Sequence, residues 1–174
     1  MNSGEELSAP CPIQPEHERA GFSCGEEALD EWLRRRALKN ETAGASRTYV
    51  LLAGNEVIAY YSLAAGGVAR RFSPGTVRRD MPDPIPVMIL ARLAVDTRRQ
   101  GRGIGRALVR DALLRTMNAA HIAGIRALLV HALNQRAASF YQNLGFLPSP
   151  FDPLVLLLPL RHFDPLDLAG EKHE

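Results

Sequence analysis

Three glycines at alternate positions, in Gln100-Gly101-Arg102-Gly103-Ile104-Gly105, follow an apolar run and two arginines and lead straight into a helical pattern. The first amides of a helix have no partner within it and sit at the positive end of its dipole, so they attract an anion. Glycine lets that anion approach bare backbone. The chemistry on offer is phosphate binding, and what the turn lacks narrows the kind. It has no Lys-Ser/Thr ending, which excludes a P-loop, and neither its spacing nor an acidic residue about twenty positions on supplies a dinucleotide fingerprint. What remains is Gln/Arg-x-x-Gly-x-Gly, met from Gln100 to Gly105 and again from Arg98 to Gly103.

For the turn to work, a strand must deliver the chain to it and a helix must leave it. Val87 to Val95, closed by Asp96 and preceded by Pro82, Pro84 and Pro86, is short and rich in branched aliphatics, which predicts a buried strand. Beyond the turn, Leu108, Val109, Ala112, Leu113, Met117 and Ala120 share one side of a helix, and Arg106, Arg110, Asp111 and Asn118 lie off it. Ala127 to Leu133 predicts a second buried strand, reached by a crossover of the length parallel pairing needs. Asn134 then stands where a cap belongs, before a helix from Gln135 to Leu144 that Gly145 stops.

Upstream, Glu26 to Asn40 reads as a helix with acids early and bases late; Leu29, Trp32, Leu33 and Ala37 form its apolar stripe, which makes Trp32 a core residue. Arg47–Ala53 and Val57–Ala64, on either side of Gly54-Asn55, predict an antiparallel hairpin. Pro12–Glu18 predicts a short edge strand, and Arg70–Pro86 an irregular connection or one short helix. Leu154–Leu160 predicts a last strand near a sheet edge, since it contains proline. Together these elements make an α/β (mixed α+β) fold, a single central mixed sheet with helices on both faces.

Composition bounds the answer. At 174 residues one domain with a full core is expected over 1–174, with 1–10 and 164–174 as loose tails. No apolar run approaches the roughly 20 residues of a membrane span, and no basic-then-apolar leader opens the chain, so a cytoplasmic protein is expected. Cys11 and Cys24 have the spacing of neither a disulfide framework nor a zinc site, and the five histidines show no ligand pattern; free thiols and no metal are expected. Net charge is only +2, yet Arg70 to Arg115 holds eleven arginines against four aspartates. That local excess suits a polyanion, whether nucleotide, nucleic acid or both, or else a solvated basic face.

The glycine turn resembles the pyrophosphate-binding motif of the GCN5-related N-acetyltransferases (GNAT), which hold acetyl-coenzyme A. About thirty residues on, Asn134-Gln135-Arg136-Ala137-Ala138-Ser139-Phe140-Tyr141-Gln142-Asn143-Leu144-Gly145-Phe146 resembles that family's second signature, Asn-x-x-Ala-x-x-Phe-Tyr-x-x-x-Gly-Phe. Singly, Asn134 is a helix cap and Phe140, Tyr141 and Phe146 are core aromatics; in this order and separation they match the family. Phe22-Ser23-Cys24-Gly25, Leu29 to Leu33, Tyr60 to Leu63 and Ile89 to Asp96 are similar to the acetyltransferase toxins of bacterial toxin–antitoxin pairs, the TacT and AtaT type. The similarity runs from about Phe22 to Leu160; His131 departs from it, standing where an acidic residue is more usual.

The resemblance implies a GNAT fold, transfer of acetyl from acetyl-coenzyme A to the α-amino group of aminoacyl-tRNA, a block of translation, a ribbon-helix-helix antitoxin as partner, and a homodimer. Residue by residue, it assigns the backbone of Leu93, Ala94 and Val95 to the pantetheine arm. Arg98, Gln100, Gly101, Arg102, Gly103, Ile104, Gly105 and Arg106 go to the pyrophosphate, Asn134 to the thiol end, and Tyr141 to the sulfur as acid. Arg78, Arg79 and Arg92, with Arg34 to Arg36, are left for the tRNA backbone. No carboxylate base stands out. An α-amine with a pKa of roughly 7.7 to 8.0 needs none. Two rivals stay open: a GNAT acting on a protein, peptide or small-molecule amine, and a non-enzymatic nucleic-acid module. An arginine-rich middle suits a small cationic acceptor poorly, and no DNA- or RNA-binding signature is present.

Overall fold

The computed structural model describes residues 7–160. In chain order the elements are β1 (Cys11–Pro12), α1 (Glu27–Arg35), α2 (Ala37–Ala43), β2 (Arg47–Ala53), β3 (Glu56–Val68), α3 (Gly75–Arg78), β4 (Ile85–Val95), α4 (Ile104–Ala120), β5 (Ala127–His131), α5 (Gln135–Asn143), β6 (Leu147–Pro148) and β7 (Val155–Pro159). Short 3-10 turns stand at Arg70–Phe72 and Thr97–Arg99. Among the described residues the strands form one seven-stranded sheet in the order β1-β2-β3-β4-β5-β7-β6. It is mixed, with β4 and β5 parallel and β1–β2, β2–β3, β5–β7 and β6–β7 antiparallel. The α/β expectation therefore holds.

Two compact units divide the chain: one runs up to Leu63 and includes Arg92–Val109, and the other joins Ala64–Ala91 to the chain from Arg110 onward. In the first, Gly54 turns the β2–β3 hairpin at φ +61, a left-handed conformation that favours glycine. The core gathers Ile13, Phe22, Trp32, Leu33, Ala37, Val50, Val57, Tyr60 and Ala94. Trp32 stacks on Tyr60 (centroids 5.9 Å apart), Phe22 meets Tyr60 edge-on, and the Tyr60 hydroxyl donates to the Leu29 carbonyl at 2.6 Å. The expected helix from Glu26 to Asn40 is two, parted at Arg36, whose φ widens to −117 while its ψ stays helical at −31; the second ends at Ala43, where Gly44 adopts φ +75. No glycine or proline marks that break in the sequence. The expected strand Pro12–Glu18 shrinks to Cys11–Pro12, because the chain turns at once, with the Gln14 amide donating to His17 Nδ1. Of the tails expected to be loose, 1–6 and 164–174 lie outside the described residues. Ser8 is tied down, exchanging hydrogen bonds with Leu52.

The second unit holds the parallel ladder, whose register runs from Val87↔Ala127 to Leu90↔Val130. β4 continues to Val95, so the ladder stops short of the strand's end. Val77, Ile85, Val87, Ala127, Leu129 and Leu157 form its core. The strand expected near an edge, β7, lies one place in from it, between β5 and β6. Its proline is the last residue, where a missing amide costs no central hydrogen bond, and the two-residue β6 takes the edge. The Arg70–Pro86 connection carries one 3-10 turn and α3, and Arg126 pins it by donating to the carbonyls of Thr76 and Val77 at 3.0 and 3.1 Å.

Trp32 is the largest apolar side chain in its cluster and keeps two ring neighbours in place. Trp32→Ala is expected to cost about 3–5 kcal/mol, read as a drop in the urea midpoint at unchanged slope.

Candidate functional site

β4 hands the chain to the glycine turn through Asp96, whose side chain is 1% exposed. Its amide donates to the Ile58 carbonyl at 2.8 Å, and the next amide, of Thr97, donates to the Ser23 carbonyl at 2.8 Å. The carboxylate accepts from the Arg98 amide (3.0 Å), Arg98 Nε (2.9 Å), Arg98 Nη2 (3.1 Å) and the Ser23 amide (3.3 Å). Burial by itself raises this carboxyl's pKa; the hydrogen bonds from the Arg98 side chain and backbone, then from Ser23, together with the Arg98 charge, outweigh it and hold Asp96 below its ordinary value.

Two side chains given to the pyrophosphate by the sequence are engaged inside the protein. Arg98 spans Asp96 and Glu56, reaching Glu56 Oε1 at 2.7 Å. Gln100 donates from Nε2 to the carbonyls of Cys24 (3.0 Å) and Val95 (2.9 Å), which also occupies one of the carbonyls expected to meet the pantetheine arm. Both fix the shape of the turn. Asp96, which Arg98 and Ser23 serve, is a hub that the sequence expectation of a strand end does not contain. Its signal was an acid placed between an apolar strand and a basic turn.

Open backbone and two guanidiniums are what the turn presents outward. Gly101 and Gly103 sit at φ +76 and +78, where an L-residue is strained, and a Cβ on either would meet no heavy atom within 4 Å. Arg102 and Arg106 are exposed, while Ile104 is buried and anchors the start of α4. Leading amides, flexible glycines and two unobstructed cations fit a diphosphate. Leu93 and Val95 are half-buried and Ala94 is buried.

The second unit carries the other signature. Asn134 caps α5, its Oδ1 accepting from the Ala137 amide at 2.9 Å. Gly145 adopts φ +100 beyond the helix end, as the sequence predicts. Tyr141 is buried edge-on between Phe140 (5.1 Å) and Phe146 (5.3 Å), and burial pushes its phenol well above the ordinary value. Arg78 and Arg79 are exposed at the end of α3. Arg92, by contrast, lies in the first unit with its guanidinium 4.1 Å over the Trp32 ring, half-buried. Arg34 donates to the Phe22 carbonyl at 2.9 Å, and Arg35 approaches Glu31. Among the described residues no group of His, Cys, Asp or Glu is arranged to hold a metal, and no helix is long and apolar enough to cross a membrane.

The chain belongs to the GNAT acetyltransferases: the family model described as "Acetyltransferase (GNAT) domain" matches residues 44–148. It is similar, at 49% identity over 154 residues, to a tRNA-acetylating toxin of Mycobacterium tuberculosis, covering 88% of this chain and 93% of that one. Among solved structures it resembles the toxin AtaT complexed with acetyl-methionyl-tRNAfMet, with TM-score 0.83 and 30% identity over 88% of this chain and 95% of that one. It also resembles a tyrosine-to-phenylalanine variant of AtaT bound to the C-terminus of the antitoxin AtaR and acetyl-CoA, with TM-score 0.76 and 30% identity over 90% and 94% of the two chains.

Asp96→Ala removes a buried acceptor of several hydrogen bonds, and a loss of about 2–4 kcal/mol is expected at neutral pH. Because the folded pKa lies below the unfolded one, the stabilisation is complete above pH about 4 and is lost as pH falls through the folded value. Chemical denaturation of wild type and Asp96→Asn between pH 7 and 3 checks this: the gap between them should close on acidification.

Proposed function

We propose that this protein is an acetyltransferase toxin that moves acetyl from acetyl-CoA to the α-amino group of aminoacyl-tRNA and so inhibits translation. The observation that carries the reading is the 49% identity to a tRNA-acetylating toxin over nearly the whole of both chains. The open glycine turn and the buried phenol supply the chemistry it requires. Three further points rest on the resemblance in sequence and on the antitoxin-bound neighbour: a ribbon-helix-helix antitoxin as partner, a homodimeric state, and action in the cytoplasm, where charged tRNA resides. Residues 1–174 then work as one acetyltransferase domain.

In this reading the backbone of Gly101 to Arg106 and the guanidiniums of Arg102 and Arg106 hold the cofactor's diphosphate. Arg98 and Gln100 act from behind, keeping the turn in shape. Backbone groups of Leu93 to Val95 align the arm, and Asn134 stands at its thiol end. When bound, acetyl-CoA supplies an activated acyl group as a thioester. Tyr141 stays protonated because burial disfavours its phenolate. A phenol pushed above pKa 10 is a weaker acid than a thiol near 8.5, so Tyr141 serves the departing sulfur as a hydrogen-bond donor and keeps its proton. The acceptor amine, with a pKa of roughly 7.7 to 8.0, is substantially neutral near pH 8 without a protein base. Exposed Arg78 and Arg79 hold the tRNA backbone, with Arg92 beside Trp32 as a weaker contributor.

The direct test is labelled acetyl-CoA with charged tRNA against free amino acids and peptides; label should enter charged tRNA alone. Tyr141→Phe is expected to slow turnover by about 100-fold or more while calorimetry shows unchanged coenzyme A affinity. For the wild type, the rate should rise as the acceptor amine loses its proton and then stay level to pH about 10, because the raised phenol does not ionise below it. A fall between pH 8 and 9.5 would contradict this role. Arg78→Ala with Arg79→Ala should raise KM for charged tRNA and flatten its logarithmic salt dependence by about two.

A further inference from the structure

A cavity of about 420 Å³, lined wholly by residues of the second unit, has no role in the mechanism above. Its size is that of a small-ligand site. Val68, Ile89, Leu129 and Val155 make its wall apolar, and His131 and Asp152 add hydrogen-bonding atoms. Phe72 and Phe151, which also line it, are 37% and 69% exposed, and their rings meet edge-on at 5.6 Å. The Arg71 guanidinium covers the Phe72 ring at 4.7 Å. Two exposed aromatics and a stacked arginine beside an apolar hollow are costly to leave in water unless something covers them.

The surroundings narrow what that is. Ile89, Leu129 and His131 flank the point where the β4–β5 ladder ends, at Leu90↔Val130. The connection that carries Phe72 holds four exposed arginines, Arg70, Arg71, Arg78 and Arg79, against two exposed aspartates, Asp80 and Asp83, so it brings an excess of cations to this unit. The platform is preformed. The Ser149 amide donates to the Val155 carbonyl (2.8 Å), the Leu154 amide to Asp152 Oδ1 (2.9 Å), and the Arg70 amide to Asp83 Oδ1 (3.1 Å). Aromatic faces with an arginine plane, set among phosphate-seeking cations, are the means by which proteins hold the splayed bases of single-stranded RNA ends. A neutral protein segment gains from the apolar wall alone; an acidic one also meets the cations and is an outcome of the test below.

We infer that this cavity receives the terminal adenosine of the charged tRNA, the base lying against Phe151 and Phe72 with its edge toward His131 and Asp152. The inference rests on the proposed aminoacyl-tRNA activity and adds where the acceptor's last nucleoside is held. It makes the ester's own nucleoside part of what is recognised, beyond the amine and the phosphates.

The test uses the full chain and two minimal acceptors carrying the same amino acid, its 3′-adenosine ester and its methyl ester. Wild type should acetylate the adenosine ester with a KM roughly 5- to 100-fold lower, the range of one base stacked on aromatic side chains. Phe151→Ala should erase that preference and raise KM for charged tRNA, leaving kcat at saturation and the KM for acetyl-CoA unchanged; Phe151→Trp should restore it. Phe151 is exposed, so circular dichroism of the alanine variant should match wild type. Equal KM for the two esters overturns the inference. So does a Phe151→Ala variant that loses an antitoxin peptide or self-association while its KM for charged tRNA stays put, since the patch then belongs to a protein partner. A wild type inert toward charged tRNA but active on another amine overturns the functional reading itself, a result distinct from either.

Discussion

One buried carboxylate sets the geometry of the glycine turn, the proposed phosphate site of this protein. Asp96 cannot be left without partners where it sits, and its demands are met by the chain on both sides: its own turn, through Arg98, and the segment before α1, through Ser23. Each of those bonds is also a constraint on direction. The chain leaving β4 must bend toward Ser23 and rise through a 3-10 turn before the glycines, and α4 must therefore start where it does. The exposed glycine turn thus inherits its course from an acid buried beneath it.

The arginine excess looks different once partners are assigned. Arg98 is neutralised by Asp96 and Glu56, Arg115 pairs with Asp111 at 3.0 Å, and Arg92 lies on Trp32. Cations written side by side in the chain thus divide into those that hold the fold and those that face outward, such as Arg78, Arg79, Arg102 and Arg106. Arg98 and Arg115, paired with carboxylates, add little to the attraction of a polyanion at long range, whereas Arg92 keeps its charge over an uncharged ring.

Patterns of local origin were readable from the sequence. Strand periodicity, the Gly54 turn, the Asn134 cap, the Gly145 stop and the start of α4 each depend on residues within a few positions of one another, and each stands where expected. So does the parallel β4–β5 pairing, which a crossover long enough for a helix permits. What escaped depends on distant partners. The break at Arg36 has no breaker residue to announce it, and Leu33 and Ala37 on either side are both held in the core. β7 gained a neighbour on its far side because Leu147 and Pro148 pair with Leu157 and Leu156, a register too short to show in a pattern. Arg98 and Gln100 matched a ligand-binding motif by spacing, but spacing does not reveal that carboxylates and carbonyls of the same chain lie closer than any ligand. The aromatic pair of Phe72 and Phe151 is separated by most of the second unit's sequence and could be joined only by folding.

The outward face of the glycine turn is made of peptide amides and guanidiniums, none of which changes charge anywhere near neutrality. The reacting amine does. On the proposed reading, a cell that acidifies would slow acetyl transfer while the grip on both polyanions persisted, so the protein would wait fully loaded and resume without rebinding. Acid would arrest this toxin in place; it would not disarm it.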